Sequence, residues 1–185
     1  ELEMFVMIVT EPPFDNPLIR QALKKVVDAE EMIAISAQGH GTPTCNVAIW
    51  PIDQYYVQQE CSQDIEGARA LLAEAGYPDG ITLQLATSTL RPTMIPITVV
   101  YKEQAAEAGI TLEVVQRPAD GYWTNTWMTL DYLFVANSWR YRQADNHLSL
   151  QSRCGASWND HFWCNAEFDA LQDQARAELD FDTRK

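Results

Sequence analysis

The stretch NSWRYRQADN, residues 137–146, holds the side chains best suited to bind a small polar partner. Trp139 offers a flat apolar face, and Arg142 can form a bidentate pair with a carboxylate. The alternative, given equal weight, is that the arginines pair with surface acids, since the chain has 26 acidic and 13 basic residues. The candidate ligand-binding residues are Trp139, Arg140, Tyr141, Arg142 and Asp145.

The sequence contains none of the motifs of common catalytic sites: no GxSxG, no HExxH, no Walker loop and no GxGxxG. Its histidines, His40, His147 and His161, are scattered. Asp145 and Asp160 could act as paired carboxylates, but such pairs arise by chance in so acidic a chain. The residue patterns thus leave an enzyme open but unsupported, and we expect no metal site and no cofactor.

Four cysteines, Cys45, Cys61, Cys154 and Cys164, permit three disulfide pairings. Pairing Cys45 with Cys61 and Cys154 with Cys164 closes the shortest loops. Zinc is a weaker interpretation, because no pair has the CxxC spacing and His161 stands apart from any ligand-like repeat. Buried free thiols are as good an interpretation as disulfides at this point, and disulfides would indicate an oxidising compartment.

Composition excludes two classes of protein. A net charge of -13 would repel phosphate backbones, which argues against nucleic-acid binding. No apolar run approaches the roughly 20 residues that a membrane helix needs. A length of 185 residues fits one domain, or one lobe of something larger.

Strands and helices alternate in the predicted order. Strands are expected at residues 4–9, 81–85, 112–114 and 131–137, the last apolar on both faces. One helix should begin after Asn16 or Asp15 with Pro17 in its first turn and carry Ile19, Leu23, Val26 and Ile33. Others should cover residues 65–75, 94–108 and a segment after 120, with a last one capped by Asn165. Residues 38–61 are typical of a long ordered loop. This alternation predicts an α/β fold with a mixed, mainly parallel sheet flanked by helices.

Five segments occur in a specific order along the chain: PPFDNPLIRQALKKVVDAEEMI, GHGTP, DIEGARALLAEAGYPDGITLQL, EQAAEAGITLEVV and WNDHFWCNAEFDALQDQARAELD. Together they resemble the family 5 extracellular solute-binding proteins, which are the peptide, dipeptide, oligopeptide and nickel receptors of ABC importers. The resemblance runs nearly end to end. It implies a periplasmic-binding-protein-like lobe with no catalytic residues.

Family members are longer and have two lobes that close on the ligand. We therefore expect residues 1–185 to be a single α/β lobe, similar to the second one and excised from a longer protein. The missing signal peptide would then reflect a fragment. The resemblance implies a periplasmic protein, or one tethered outside the membrane. Its partners would be a peptide or small-molecule ligand and the membrane permease subunits.

The resemblance also bears on the candidate site. In peptide-binding relatives the corresponding strand ends in a pocket Trp, and an Asp three residues later holds the peptide's amino terminus. Trp139 matches that Trp, but the third residue on is Arg142, which suits a carboxylate and not an ammonium group. Asp145 resembles a second Asp of the same turn, and its role stays open. An extracytoplasmic location favours the disulfides, and a Cys154–Cys164 bridge would hold the loop beside the site.

The sequence thus predicts the substrate-binding component of an ABC importer, which binds a peptide or related carboxylate-bearing solute in an inter-lobe cleft. One alternative is a free-standing α/β enzyme that acts on a small anionic substrate at the same strand ends. Another is an interaction domain with no small ligand.

Overall fold

The computed structural model describes all residues, 1–185, as four strands and eight helices. The strands are β1 (Leu2–Met7), β2 (Ile81–Ser88), β3 (Ile110–Arg117) and β4 (Phe134–Trp139). The helices are α1 (Pro17–Lys25), α2 (Ala29–Ser36), α3 (Ile65–Glu74), α4 (Met94–Glu107), α5 (Tyr122–Asn125), α6 (Ala144–Gln151), α7 (Ala166–Ala177) and α8 (Phe181–Arg184). None of the helices has the length and apolarity that a membrane-spanning segment requires.

The strands form one mixed sheet in the order β1-β4-β2-β3. β2 runs parallel to both β3 and β4, whereas β1 runs antiparallel to β4. The predicted α/β class with a mixed, mainly parallel sheet is therefore confirmed. β4 lies inside the sheet and all six of its residues are buried, as its apolar sequence predicts.

The main core lies between the sheet and helices α1, α3 and α4. Its largest cluster of buried side chains comprises Phe14, Ile19, Ala22, Leu23, Val26, Ala68, Leu72, Leu83, Leu85, Tyr101, Ala105, Ala108, Ile110, Leu112 and Phe134. β4 contributes only Phe134 to this cluster, at its amino end. Its carboxyl end is packed by a separate aromatic group, in which Trp139 contacts Leu2 and Trp50.

Local capping explains where most helices begin. The Asn16 side chain accepts a hydrogen bond from the Leu18 amide, with Pro17 in the first turn, and Asn165 accepts one from Phe168. Both starts are as predicted.

The prediction of one helix through Ile33 is wrong. Asp28 accepts a hydrogen bond from the Glu31 amide and starts α2 as a separate helix. The Gln104 side chain bonds both backbone groups of Asp28, so this break is fixed from α4.

Helix α6 lies where the sequence indicates only a loop. Its N-cap residue, Gln143, makes no capping hydrogen bond with its side chain. The Asp53 carboxylate instead accepts a hydrogen bond from the Ala144 amide at 2.9 Å. Because the cap comes from a distant residue, the local sequence carries no start signal.

Candidate ligand-binding site

Arg142 follows β4 and lies beside two indole rings. Its guanidinium carbon is 5.1 Å from the Trp139 ring centroid and 5.2 Å from that of Trp158. These distances are typical of cation–π contacts, and both rings lie on the same side of the guanidinium, since their centroids are 5.7 Å apart. No carboxylate of the chain forms an ion pair with Arg142. Its Nη1 donates to the Arg140 carbonyl at 3.3 Å, which leaves other N–H donors for a partner.

Trp139 is the buried member of the two indoles, with only 5% of its surface exposed. Its ring lies 6.2 Å from Trp127 and 5.1 Å from His147. Trp158 is the more exposed of the two indoles, with 39% of its surface exposed. Arg142 is thus in contact with one buried indole and one solvent-accessible indole.

A buried carboxylate lies beneath the aromatic group. Asp160 is 1% exposed and accepts hydrogen bonds from Trp127 Nε1 at 3.0 Å, Asn137 Nδ2 at 2.7 Å and Gln151 Nε2 at 3.3 Å. Burial raises the pKa of the Asp160 carboxyl, and these hydrogen bonds oppose the rise. Asp160 therefore joins β4, α6 and the segment before β4 into one support.

The long loop between α2 and α3 forms another side of the site. Trp50 is buried, and its ring lies 4.7 Å from His147 and 5.6 Å from Tyr141. Three residues later, Asp53 caps α6 at Ala144. The loop predicted as ordered therefore packs directly against the candidate site.

Both cysteine pairs with the shortest loops form disulfides, and no cysteine is free. Cys45–Cys61 closes the segment that carries Trp50 and Asp53. Cys154–Cys164 closes the segment that carries Trp158 and Asp160. The expected disulfides, including the Cys154–Cys164 bridge, are confirmed, and of the three pairings left open the structure has the one with the shortest loops.

His147 is fully buried between the rings of Trp50 and Trp139. Burial and then the positive charge of Arg142 lower the pKa of His147 to about 4. Neither ring nitrogen has a hydrogen-bond partner. The imidazole is therefore neutral at physiological pH and acts as a flat packing surface.

This low pKa makes stability depend on pH. The unfolded histidine, with a pKa near 6.5, binds a proton more readily than folded His147, so its contribution is complete above that value and is lost as pH falls toward 4. We expect about 2 kcal/mol of loss between pH 7 and pH 5 from His147. Urea denaturation at pH 7 and at pH 5 measures the loss of unfolding free energy between the two pH values. This loss should be smaller by about that amount in His147→Gln than in the parent.

The matched control is His40→Gln, because His40 is exposed. It should keep the parent's pH dependence. His161, whose pKa burial also lowers to about 4, remains in both variants and cancels in the comparison. Equal pH dependence in His147→Gln and the parent would contradict the prediction.

The other predicted site residues lie around Arg142 in different settings. Arg140 is exposed and forms no ion pair with a carboxylate. Tyr141 is 50% exposed with its ring edge against Trp50. Asp145 forms an ion pair with Arg184. Tyr141 and Asp145 line a separate polar pocket of about 390 Å³ beside α6, which Arg142 does not line.

A family assignment is given by sequence comparison. The model of bacterial extracellular solute-binding proteins, family 5 (middle), matches residues 1–159. The chain belongs to this family.

The relatives that this family 5 chain matches are much longer than the chain itself. The glutathione-binding protein GsiB of Pectobacterium atrosepticum is 34% identical over 113 residues, which are 61% of this chain and 22% of that protein. The structure of the PBP AgaA from A. tumefaciens R10 in complex with agropinic acid has 25% identity and a TM-score of 0.85 over 98% of this chain and 38% of its own. MoaA from the same source, in complex with mannopinic acid, has 25% identity and a TM-score of 0.81 over 100% of this chain and 38% of its own.

Several residues of the site in this family 5 chain were not predicted from sequence. They are Trp50, Asp53, His147, Trp158 and Asp160. A usable signal was present, since each short disulfide pairing encloses a Trp followed within three residues by an Asp, in WPID and in WND.

Asp145 and Asp160 do not act as a pair, because one bonds Arg184 at the surface and the other is buried among Trp127, Asn137 and Gln151.

Proposed function

We propose that this chain is one lobe of the substrate-binding component of an ABC importer. Its ligand would lie in a cleft between this lobe and another, and would be delivered to permease subunits in the membrane. The family assignment and the relative named for binding glutathione support this proposal. The same family and relative support a location in the periplasm, or outside the membrane on a tether. No catalytic step is part of the proposal.

The observation that carries the proposal is the guanidinium of Arg142, which has no carboxylate partner and lies beside two indole rings. In a chain of net charge -13, an arginine without a carboxylate partner is poorly explained as a surface ion pair. Trp139 and Trp158 contact it from one side, since their ring centroids are 5.7 Å apart, so its other side and its free N–H donors are left for a ligand. A planar carboxylate matches these donors through two parallel hydrogen bonds.

The ligand class follows from this geometry. We propose a small solute with a carboxylate, such as a peptide. Glutathione, agropinic acid and mannopinic acid, which the named relatives bind, all carry carboxylate groups.

The remaining residues have secondary roles in this proposal. Arg140 adds positive potential beside Arg142, and the exposed Tyr141 ring lies between them in sequence. Asp145 is occupied by Arg184, so we assign it to holding α8 near the site and not to anchoring a peptide amino terminus.

Arg142→Ala should weaken ligand binding by about 10- to 100-fold, because it removes a charge-assisted bidentate contact. Native mass spectrometry of the full-length protein purified from its own compartment should detect a bound carboxylate-bearing mass that the variant lacks. Titration calorimetry with S-methylglutathione and with mannopinic acid measures the change in affinity for defined probes.

Two further variants test the geometry. Arg142→Lys keeps the charge but not the fork, and should bind about tenfold more weakly than the parent. Arg69→Ala removes an exposed arginine that forms an ion pair with Glu66 and donates to the Glu107 carbonyl, and this variant should bind as the parent does. A ligand retained at parental affinity in Arg142→Ala would refute the assignment of the site.

A further inference from the structure

Two segments without helix or strand, each closed by a disulfide, surround Arg142. The first wall is residues 45–61, closed by Cys45–Cys61, and the second wall is residues 154–164, closed by Cys154–Cys164. Each wall contributes one Trp and one Asp to the region around the carboxyl end of β4. These are Trp50 and Asp53 from the first wall and Trp158 and Asp160 from the second. The two walls are far apart in sequence, and each contacts Trp139.

The first wall positions the backbone that bears Arg142. Trp50 packs with Trp139 and Leu2 in a buried cluster. Asp53 accepts the hydrogen bond of the Ala144 amide at 2.9 Å, two residues beyond Arg142. The direction in which the chain leaves β4 and enters α6 therefore depends on this wall.

The second wall positions the Arg142 side chain itself. Trp158 lies 5.7 Å from Trp139 and 5.2 Å from the guanidinium carbon. The Asp160 carboxylate binds the side chains of Trp127, Asn137 and Gln151 from below. Without this wall, Arg142 would keep its contact with Trp139 and lose the one with Trp158.

Neither wall belongs to the main core. All residues of its largest cluster lie outside 45–61 and 154–164. Because the walls have no helix or strand of their own, they are held by the bridges, by the contacts at the site and by a few others, such as Val9 to the His161 carbonyl and Tyr55 to Phe181. Cys61 and Cys164 are exposed, so a reductant in solution reaches both bridges.

We propose that the Arg142 site is assembled only when both disulfides are formed, with Trp158 and Asp53 as positioning residues whose placement requires the oxidised cysteines. This inference rests on the proposed function, since it concerns the same site. The α/β core folds in either redox state. Binding competence is therefore gained in an oxidising compartment and withheld in a reducing one.

The chemistry is ordinary thiol–disulfide exchange with a dithiol. One dithiothreitol gives two electrons and two protons to each bridge and leaves as its cyclic disulfide. Each cystine becomes two cysteine thiols. Removal of the dithiol and reoxidation in air reverses the change.

The test compares the oxidised and reduced full-length protein. Titration calorimetry measures affinity for S-methylglutathione, which carries no free thiol, and for mannopinic acid, while native mass spectrometry follows any solute that co-purifies. Far-UV circular dichroism reports the core. We expect reduction to weaken binding by about tenfold or more with an unchanged spectrum, and reoxidation to restore binding.

Variants separate the two walls and control for the reductant. The pairs Cys45→Ser/Cys61→Ser and Cys154→Ser/Cys164→Ser should each bind weakly while still oxidised at the other bridge. The quadruple serine variant should bind weakly and should not respond to dithiothreitol. Trp158→Phe, which keeps a flat face over Arg142, should bind more tightly than Trp158→Ala.

The outcomes distinguish this inference from the proposed function. Reduced protein that binds as the oxidised protein does, while Arg142→Ala fails to bind, overturns the redox dependence alone. A lost circular dichroism signal on reduction also overturns it, because the bridges would then hold the core. Oxidised protein that carries no solute and binds neither probe overturns the proposed function and this inference with it.

Discussion

Trp139→Ala is expected to lower the free energy of unfolding by about 3 to 5 kcal/mol. Trp139 is 5% exposed and packs against Leu2, Trp50, Trp127 and His147. Truncation removes a large buried ring and leaves a cavity that β4, held within the sheet, cannot collapse to fill. Urea denaturation of ligand-free protein measures the change.

Trp158→Ala provides the matched control for this prediction. Trp158 touches the same guanidinium but is 39% exposed, so its truncation should cost about 1 kcal/mol or less. Both variants should lose ligand affinity, because each removes one of the two indole contacts that hold Arg142. Equal unfolding free energies for the two variants would refute the division into a buried support and an exposed cover.

The sequence was informative wherever a structural signal is local. Asn16 with Pro17, and Asn165, start helices through side chains a few residues away, and both starts were predicted correctly. The apolar run of β4 identified a buried strand, although the strand lies at Phe134–Trp139, displaced from the predicted 131–137. Such features depend on propensity and short-range hydrogen bonds, which the sequence displays directly.

The sequence was uninformative wherever the partner is distant. Helix α6 depends on Asp53 for its cap, and the break before α2 depends on Gln104. The sequence could not decide whether Arg142 binds a ligand or pairs with a surface acid. Its contact with Trp158 could not be foreseen, because no spacing rule connects Trp158 to Trp139. Residue types could therefore locate one edge of the site, but only the tertiary contacts reveal its two walls.

Gly80→Ala should be the other strongly destabilising substitution, at about 4 kcal/mol. Gly80 precedes β2 with φ +95°, and a Cβ there would lie 2.3 Å from the Gly109 carbonyl oxygen. That same oxygen accepts the hydrogen bond from the Ile81 amide at 3.1 Å, where the β2–β3 pairing begins. The substitution therefore combines left-handed backbone strain with a collision against backbone that cannot move without breaking the pairing.

Gly76→Ala isolates the strain from the collision. Gly76 has almost the same backbone angle, φ +96°, but nothing lies within 4 Å of its added Cβ, so this variant should cost only about 1 to 2 kcal/mol. Urea denaturation of both variants gives the difference directly. If the two costs are equal, the close approach of Gly80 to Gly109 does not constrain the sheet. A larger cost at Gly80 means that the parallel β2–β3 pair requires glycine there for space as well as for backbone angle.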